Sequence, residues 1–380
     1  MIIDLDRAPA STPPPRARRL RPAAALVLAL ALLLGPDHPQ RPVPPLERVA
    51  TTEKATGTWE LTEDTLYSTR PLENGRVDIL AQDLDTGRLR WRRQAEWLGR
   101  RPVLAVSGSV VVIGVDTGGA VIVADARTGA DAVTNLELAL PAGDGLLLWD
   151  RDARLGFRDA ASGEVAWWRT VHRAPASAAA DERHLVVLED TGGAVTLRRS
   201  DGRVVGRTDQ ASPLGEQSQI RIIGDRAYLY GDRAVTALHL PDLTEVWSVP
   251  STLPKHVEPC GTRVCVTGGS GLHALDPEDG SVTWTDVHWA AWVDGLALRI
   301  DGQVAVLDPE TGAVRAGLGP GFPLGDLLLR PSGDGLHLID WHTGETRGVL
   351  PGALSSACRR SHRHLACQQP NGMLQVWRLP

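Results

Sequence analysis

The sequence is poor in phenylalanine (2) and tyrosine (3), yet it holds 12 tryptophans. Aromatic mass drawn from one residue type points to a repeated structural post for that residue. Lysine is almost absent: Lys54 and Lys255 stand alone, and arginine carries the other positive charges. The net charge of -6 excludes the basic footprint of a nucleic-acid binder. No adjacent cysteines, nucleophile motif, glycine-rich phosphate loop or HExxH pattern occurs, so none of the chemistries those patterns carry is signalled. Helical periodicity is missing beyond residue 48. The apolar run Ala23–Gly35 is shorter than the roughly 20 residues that a bilayer asks of a helix.

What is present begins with a basic tail, residues 1–21, carrying Arg7, Arg16, Arg18, Arg19 and Arg21. The apolar run then has the length of a signal-peptide core. No small-x-small cleavage site follows; Pro36-Asp37-His38-Pro39 come next, and no cysteine stands there for lipidation. Leu20 and a snorkelling Arg21 can lengthen the span. An uncleaved signal anchor over 22–35 is therefore expected, with a cleaved signal peptide as the alternative. The positive-inside rule puts 1–21 in the cytoplasm and the rest outside, as a single-pass protein of the cell membrane. Pro36, Pro39, Pro42, Pro44 and Pro45 make 36–47 a stiff spacer.

From 48 to 380, short Val/Leu/Ala runs alternate with Gly/Asp/Asn turns, the pattern of antiparallel sheet. One unit returns throughout. It reads Leu80-Ala81-Gln82-Asp83-Leu84-Asp85-Thr86-Gly87-Arg88-Leu89-Arg90-Trp91, then Val123–Gly129, then Phe157–Trp167 with Gly163. Weaker copies span Leu197–Gly202 and Leu238–Trp247. Leu275–Trp284 (Asp276, Gly280), Leu307–Gly312 (Asp308) and Ile339–Gly344 follow. The spacing of roughly 32 to 42 residues is close to that of propeller blades. Tight hairpins precede the copies at Asn74-Gly75, Asp116–Val121, Asp190–Val195 and Asn371-Gly372. About nine hairpins are counted, and the last, Leu365–Trp377, has no turn after it. The missing outer strand is expected from Glu47–Thr52, which closes the ring without an open edge. The turn glycine takes the left-handed conformation, and the aspartate accepts turn amides. Trp91, Trp167, Trp247 and Trp284 then wedge against a neighbouring blade, each aromatic burying on the order of 150–250 Å².

Ala81, Asp83, Thr86, Gly87 and Trp91 fit the motif A-x-D-x-x-T-G-x-x-x-W, and Ala274, Asp276, Gly280 and Trp284 fit it with one extra turn residue. On these residues the chain resembles the pyrroloquinoline-quinone-type, or quinoprotein-like, propeller repeat. Val133, Gly206, Ala316 and Gly348 occupy the tryptophan post in other copies. The resemblance implies an all-β propeller of four-stranded blades, eight or nine in number. It also implies a choice of function. Quinoprotein dehydrogenases of the family hold a quinone and calcium in the central funnel, often with a vicinal cysteine pair that this chain lacks. The expectation is a non-enzymatic, monomeric scaffold without cofactor, bound to an envelope or membrane protein. A glycan or small-molecule sensor is the alternative, and a quinone-dependent dehydrogenase a further one.

The four cysteines fall as two pairs, Cys260 with Cys265 and Cys358 with Cys367, at equivalent places in the repeat. Two local disulfides between neighbouring strands are expected, contributing roughly 2–3 kcal/mol each. They require an oxidising compartment, in agreement with export. A zinc site of all four cysteines is the rival reading. His362 and His364 are read as an exposed pair before a strand, Arg359-Arg360 as a solvated loop, and Asp83–Gly87 as a turn rather than a calcium loop. Trp167-Trp168 and Trp289–Trp292 serve blade packing or, alternatively, a carbohydrate or peptide surface. The repeat acids Asp83, Asp85, Asp125, Asp159, Asp276, Asp308 and Asp340 are all read as turn acceptors.

Overall fold

The computed structural model describes residues 45–52, 57–73, 75–96, 102–115, 121–160, 162–209, 218–231, 233–351, 357–369 and 371–379. The expected anchor and its basic flank, most of the spacer, Asn74 and the 116–120 turn lie outside them. Among the described residues no helix is long and apolar enough to cross a membrane.

The strands of the described residues form nine sheets of four. Eight of these blades take consecutive strands, over 59–96, 102–133, 136–170, 175–208, 219–250, 256–286, 289–320 and 322–350. Blade 9 combines Cys358–Arg360, His364–Gln368 and Leu374–Arg378 with Arg48–Thr51, which pairs antiparallel with Leu374–Arg378. The blade number is thus nine, and the closing strand is the one expected.

We letter the strands of each blade A to D in chain order. First strands of neighbouring blades approach each other, so the A strands surround the channel. Antiparallel order then places the A–B and C–D turns on one face. The B–C turns and the blade-to-blade connections lie on the other. A cluster of buried apolar residues fills each blade junction. At the closure, Trp59, Leu66 and Leu84 of blade 1 meet Ala50, Ala366, Leu374 and Val376 of blade 9. Full burial of a Leu or Val side chain contributes about 1.5–3 kcal/mol, so these seams hold the ring.

The C–D turn explains the repeat motif. Asp83 Oδ1 accepts the Thr86 amide at 2.7 Å and its hydroxyl at 2.8 Å, and the Gly87 amide donates to the Asp83 carbonyl at 2.9 Å. Asp125 repeats this with Thr128 at 2.8 Å for both bonds. Each tryptophan then reaches forward into the next blade's turn. The indole N–H of Trp91 donates to Ala126 O at 2.9 Å; Trp167, Trp247 and Trp284 donate to Arg199, Pro277 and Pro309 O at 2.8 Å. The ring lies against the turn glycine. A Cβ on Gly280 would stand 2.6 Å from Trp247 Cδ2.

Where the post lacks tryptophan, the partner positions change with it. Ala81, Ala237 and Ala274 stand opposite Trp91, Trp247 and Trp284 in the C–D ladders. Val306 and Leu338 stand opposite Ala316 and Gly348, so in blades 7 and 8 volume lost on one strand is replaced on the other, whereas blade 3 sets Phe157 opposite Trp167. Blade 4 has Gly206 at the post, and blade 5 puts Leu243, 3 % exposed with φ 63°, where other turns keep glycine.

Gly280→Ala is expected to destabilise the fold by about 2–5 kcal/mol, the sum of a left-handed Cβ and overpacking against the indole. Gly344 has φ +74° but nothing within 4 Å of a Cβ. Gly344→Ala should therefore lose only the backbone part, about 1–2 kcal/mol. Urea midpoints of the two variants check the difference; equal losses would remove the forward wedge from the account.

Candidate functional site in the channel and on the connecting-loop face

The A strands of blades 5, 6 and 7 line a channel cavity of about 570 Å³. Along His256–Cys260, Val257 and Cys260 are buried, while His256 is exposed and Glu258 half-buried. Glu258 Oε2 meets Arg221 Nη2 of blade 5 at 2.7 Å. Trp292 and Asp294 of blade 7 complete the wall. Across the channel's closure, Arg359 Nη1 lies 3.1 Å from Glu60 Oε1. Burial pushes the Glu60 carboxyl upward, and Arg359 opposes this only in part. The arrangement offers an indole, an imidazole and ion-paired carboxylates. Among the described residues no group of three or more His, Cys, Asp or Glu is placed to hold a metal ion.

The connecting-loop face of blades 6 and 7 has a different character. Leu253 is 54 % exposed, Val287 69 % and Ile300 92 %. Leu253 and Val287 flank the Gly268–Gly271 turn of blade 6. A Cβ on Gly268 would meet Leu253 O at 2.8 Å, and one on Gly271 would meet Val287 Cα at 2.6 Å. Ile300 stands on the B–C turn of blade 7, on the same face. Three exposed aliphatic side chains thus stand on the loops of this face with no packing role inside the ring.

Residues 139–291, from the first strand of blade 3 into the first strand of blade 7, match the family model PQQ_2, described as outer membrane protein assembly factor BamB. The chain is an all-β propeller of nine four-stranded blades, part of which matches that quinoprotein-like model. No curated protein matches it. Among solved structures, the propeller is similar to the computationally designed Ika8 protein at 14 % identity and TM-score 0.54, over 88 % of this chain and 100 % of that one. It is also similar to BamB from Moraxella catarrhalis, at 17 % identity and TM-score 0.47, over 88 % and 100 % of the two chains. Sqt1 from Saccharomyces cerevisiae is 11 % identical with TM-score 0.48, over 88 % and 96 %. The Ika8 likeness bears on the fold alone.

The propeller places the motif residues on its C–D turn face, away from the apolar loops. Asp83, Asp125, Asp159, Asp276, Asp308 and Asp340 each accept a turn amide. The Arg90 side chain first, then Thr86, holds the Asp83 carboxyl at about 2. Hydrogen bonds from Thr128 hold Asp125 below the usual carboxylate range. Asp85 departs from expectation: it is exposed and accepts no hydrogen bond among the described residues. Leu84 between the acids is fully buried, which makes 83–87 a packed turn. Gly87, Gly129, Gly163, Gly280, Gly312 and Gly344 all have φ between 68° and 74°.

The cysteines pair as Cys260–Cys265 and Cys358–Cys367, each joining the A and B strands of one blade. All four sulfurs are thereby used, which overturns the zinc reading. Two further expectations are corrected. His364 is 1 % exposed rather than paired with His362 in solvent; its Nδ1 lies 3.0 Å from Glu63 O across the ring closure. Arg359-Arg360 is a strand, not a loop, because its backbone pairs antiparallel with Leu365-Ala366, and its guanidiniums pair with Glu60 and Asp326 of the adjoining blades. Trp167 and Trp289 are blade packing, whereas Trp168 is 36 % exposed with Arg154 over its ring at 5.4 Å. The ion pairs of the channel escape sequence reasoning, because each joins residues from different blades.

Proposed function

We propose that this propeller is a non-enzymatic scaffold that binds another protein through the connecting-loop face of blades 6 and 7. The observation that carries the reading is the exposure of Leu253, Val287 and Ile300 on the loops of that face. Loops set on a rigid scaffold are where binding residues collect, and exposed apolar patches mark interaction sites. The match of 139–291 to an assembly-factor family model supports a role in protein association. In this proposal the chain acts outside the cytoplasm, tethered by the 22–35 segment, and its partner is an envelope or membrane protein. The two disulfides accord with an oxidising compartment.

Crosslinking in cells followed by mass spectrometry tests the proposal. The expected result is a crosslinked partner that is retained by wild type and lost in a Val287→Asp/Ile300→Asp variant with an unchanged melting temperature. A partner retained equally by that variant would refute the assigned face. Recovery of the protein in the soluble fraction after membrane sedimentation would refute the tether. The channel cavity favours a second reading, a glycan or small-ligand sensor. Its half-buried Trp292 beside His256 and the Arg221–Glu258 pair offers a stacking surface with polar groups at its edge. Thermal shifts with oligosaccharides, abolished by Trp292→Ala, are its test.

A further inference from the structure

A cleft of about 380 Å³ opens between the outermost strand of blade 3 and the sheet of blade 4. Its floor is aliphatic: Leu155, Val187, Val195 and Leu197 are all at most 5 % exposed. Val204, 42 % exposed, continues that surface toward solvent. The rim is cationic. Glu189, with a side chain 8 % exposed, takes Arg173 Nη1 on Oε2 at 2.8 Å and Arg207 Nη1 near Oε1 at 3.1 Å. Nε and Nη2 of both arginines make no hydrogen bond among the described residues. Arg169 donates to Gly202 O at another side of the cleft. Three guanidiniums against Glu189 and Asp209 leave a net charge of +1 (3 − 2) at the mouth. Asp209, 4.0 Å from Arg173 and 79 % exposed, is a weak surface partner that a ligand carboxylate can outcompete.

We infer that this cleft binds an amphipathic monocarboxylate, its head on the free edges of Arg173 and Arg207 and its hydrocarbon body on the valine and leucine floor. A guanidinium fork matches a carboxylate with two parallel hydrogen bonds. Glu189 holds both forks in place before the ligand arrives, which reduces the ordering that binding requires. The floor selects for an apolar body, because a bare anion leaves it wet. The volume lies within the range of about 300–1,000 Å³ for small-molecule sites. None of this depends on the apolar loops of blades 6 and 7, so the two readings fail separately.

Octanoate titrated into the disulfide-intact protein by calorimetry is the test. Saturable one-to-one binding is expected. Arg207→Gln should weaken it about tenfold to a hundredfold, the loss of a charge-assisted hydrogen bond. Val204→Asp, at an exposed position that leaves the fold intact, should abolish it by setting a hydrated carboxylate against the hydrocarbon tail. Octanol and sulfate, each lacking one half of the ligand, should not bind where octanoate saturates. The inference is overturned if octanoate shows no saturation in the millimolar range, if octanol binds as tightly, or if Arg207→Gln binds octanoate unchanged.

Discussion

A chain beginning at Gly57 is expected to lose the closed ring. Arg48–Thr51 is the outermost strand of blade 9, and its removal leaves Leu374–Arg378 as an unpaired edge. The backbone bonds from Thr52 N to Leu374 O and from Arg378 N to Glu47 O, both 2.9 Å, go with it. So does Ala50, buried among Trp59, Leu374 and Val376. The loss extends into blade 8. A Cβ on Gly348 would meet Leu46 Cδ2 at 2.7 Å, and the Leu46 amide donates to Val349 O at 3.3 Å. The vacant tryptophan post of blade 8 is therefore the socket for the residue that leads into the closing strand. A few net hydrogen bonds at about 1 kcal/mol each and one aliphatic side chain at about 1.5–3 kcal/mol together give about 5 kcal/mol. That is a large share of a stability of about 5–15 kcal/mol. The truncated protein should show a lower urea midpoint and fast hydrogen exchange along Leu374–Arg378. A peptide of residues 44–53 should restore both by strand addition. An unchanged midpoint with protected amides would show that the ring closes by other contacts.

The contrast between the legible and the hidden parts of this fold follows from distance along the chain. Asp83, Thr86, Gly87 and Trp91 lie within one turn and strand, so their spacing states their geometry. The closing strand was legible because the last hairpin lacks an outer partner and one free strand precedes the first repeat. The direction of each tryptophan was not legible. Trp247 packs on Gly280, one blade ahead, and only the folded ring brings them together. The vacant posts were visible as departures from the motif, yet their compensation was not. The Pro241-Asp242 backbone closes on Gly206, and Leu46 answers Gly348 from the other end of the domain. The apolar loops of blades 6 and 7 carry no motif at all. A single Leu253, Val287 or Ile300 reads as an ordinary hydrophobic residue until the turns place it in solvent.

Asp78 shows the same limit, and its removal has the second large expected effect. It occupies strand C of blade 1, on the face opposite Val77, Ile79 and Ala81 that a period-two pattern leaves to solvent, yet its side chain is 0 % exposed. Arg70 stands directly opposite on strand B and reaches Asp78 Oδ2 at 2.8 Å. Arg92 on strand D spans both carboxylate oxygens, Nε to Oδ1 at 3.1 Å and Nη2 to Oδ2 at 2.6 Å. One carboxylate thereby ties strands B, C and D of the blade next to the ring closure. Burial pushes its proton affinity up, but the hydrogen bonds from Arg92 and Arg70 outweigh it and hold the carboxyl down at about 2. The folded value lies below the 3.8 of a free aspartate carboxyl. Its contribution is therefore complete above pH 3.8 and is lost as pH falls toward 2. Asp78→Ala removes the carboxylate that joins Arg70 and Arg92; their side chains, 31 % and 46 % exposed, can turn to water, so the loss is about 1.5–3 kcal/mol, the range for a hydrogen bond to a charged group. Chemical denaturation at neutral pH should show that loss. Asp83, held at about 2 by Arg90 and Thr86, adds an acid limb of the same sign. The variant should thus flatten the fall in stability between pH 4 and 2 in part, not wholly. An acid limb as steep as that of wild type would assign the pH dependence to the turn aspartates and reduce Asp78 to a packing residue.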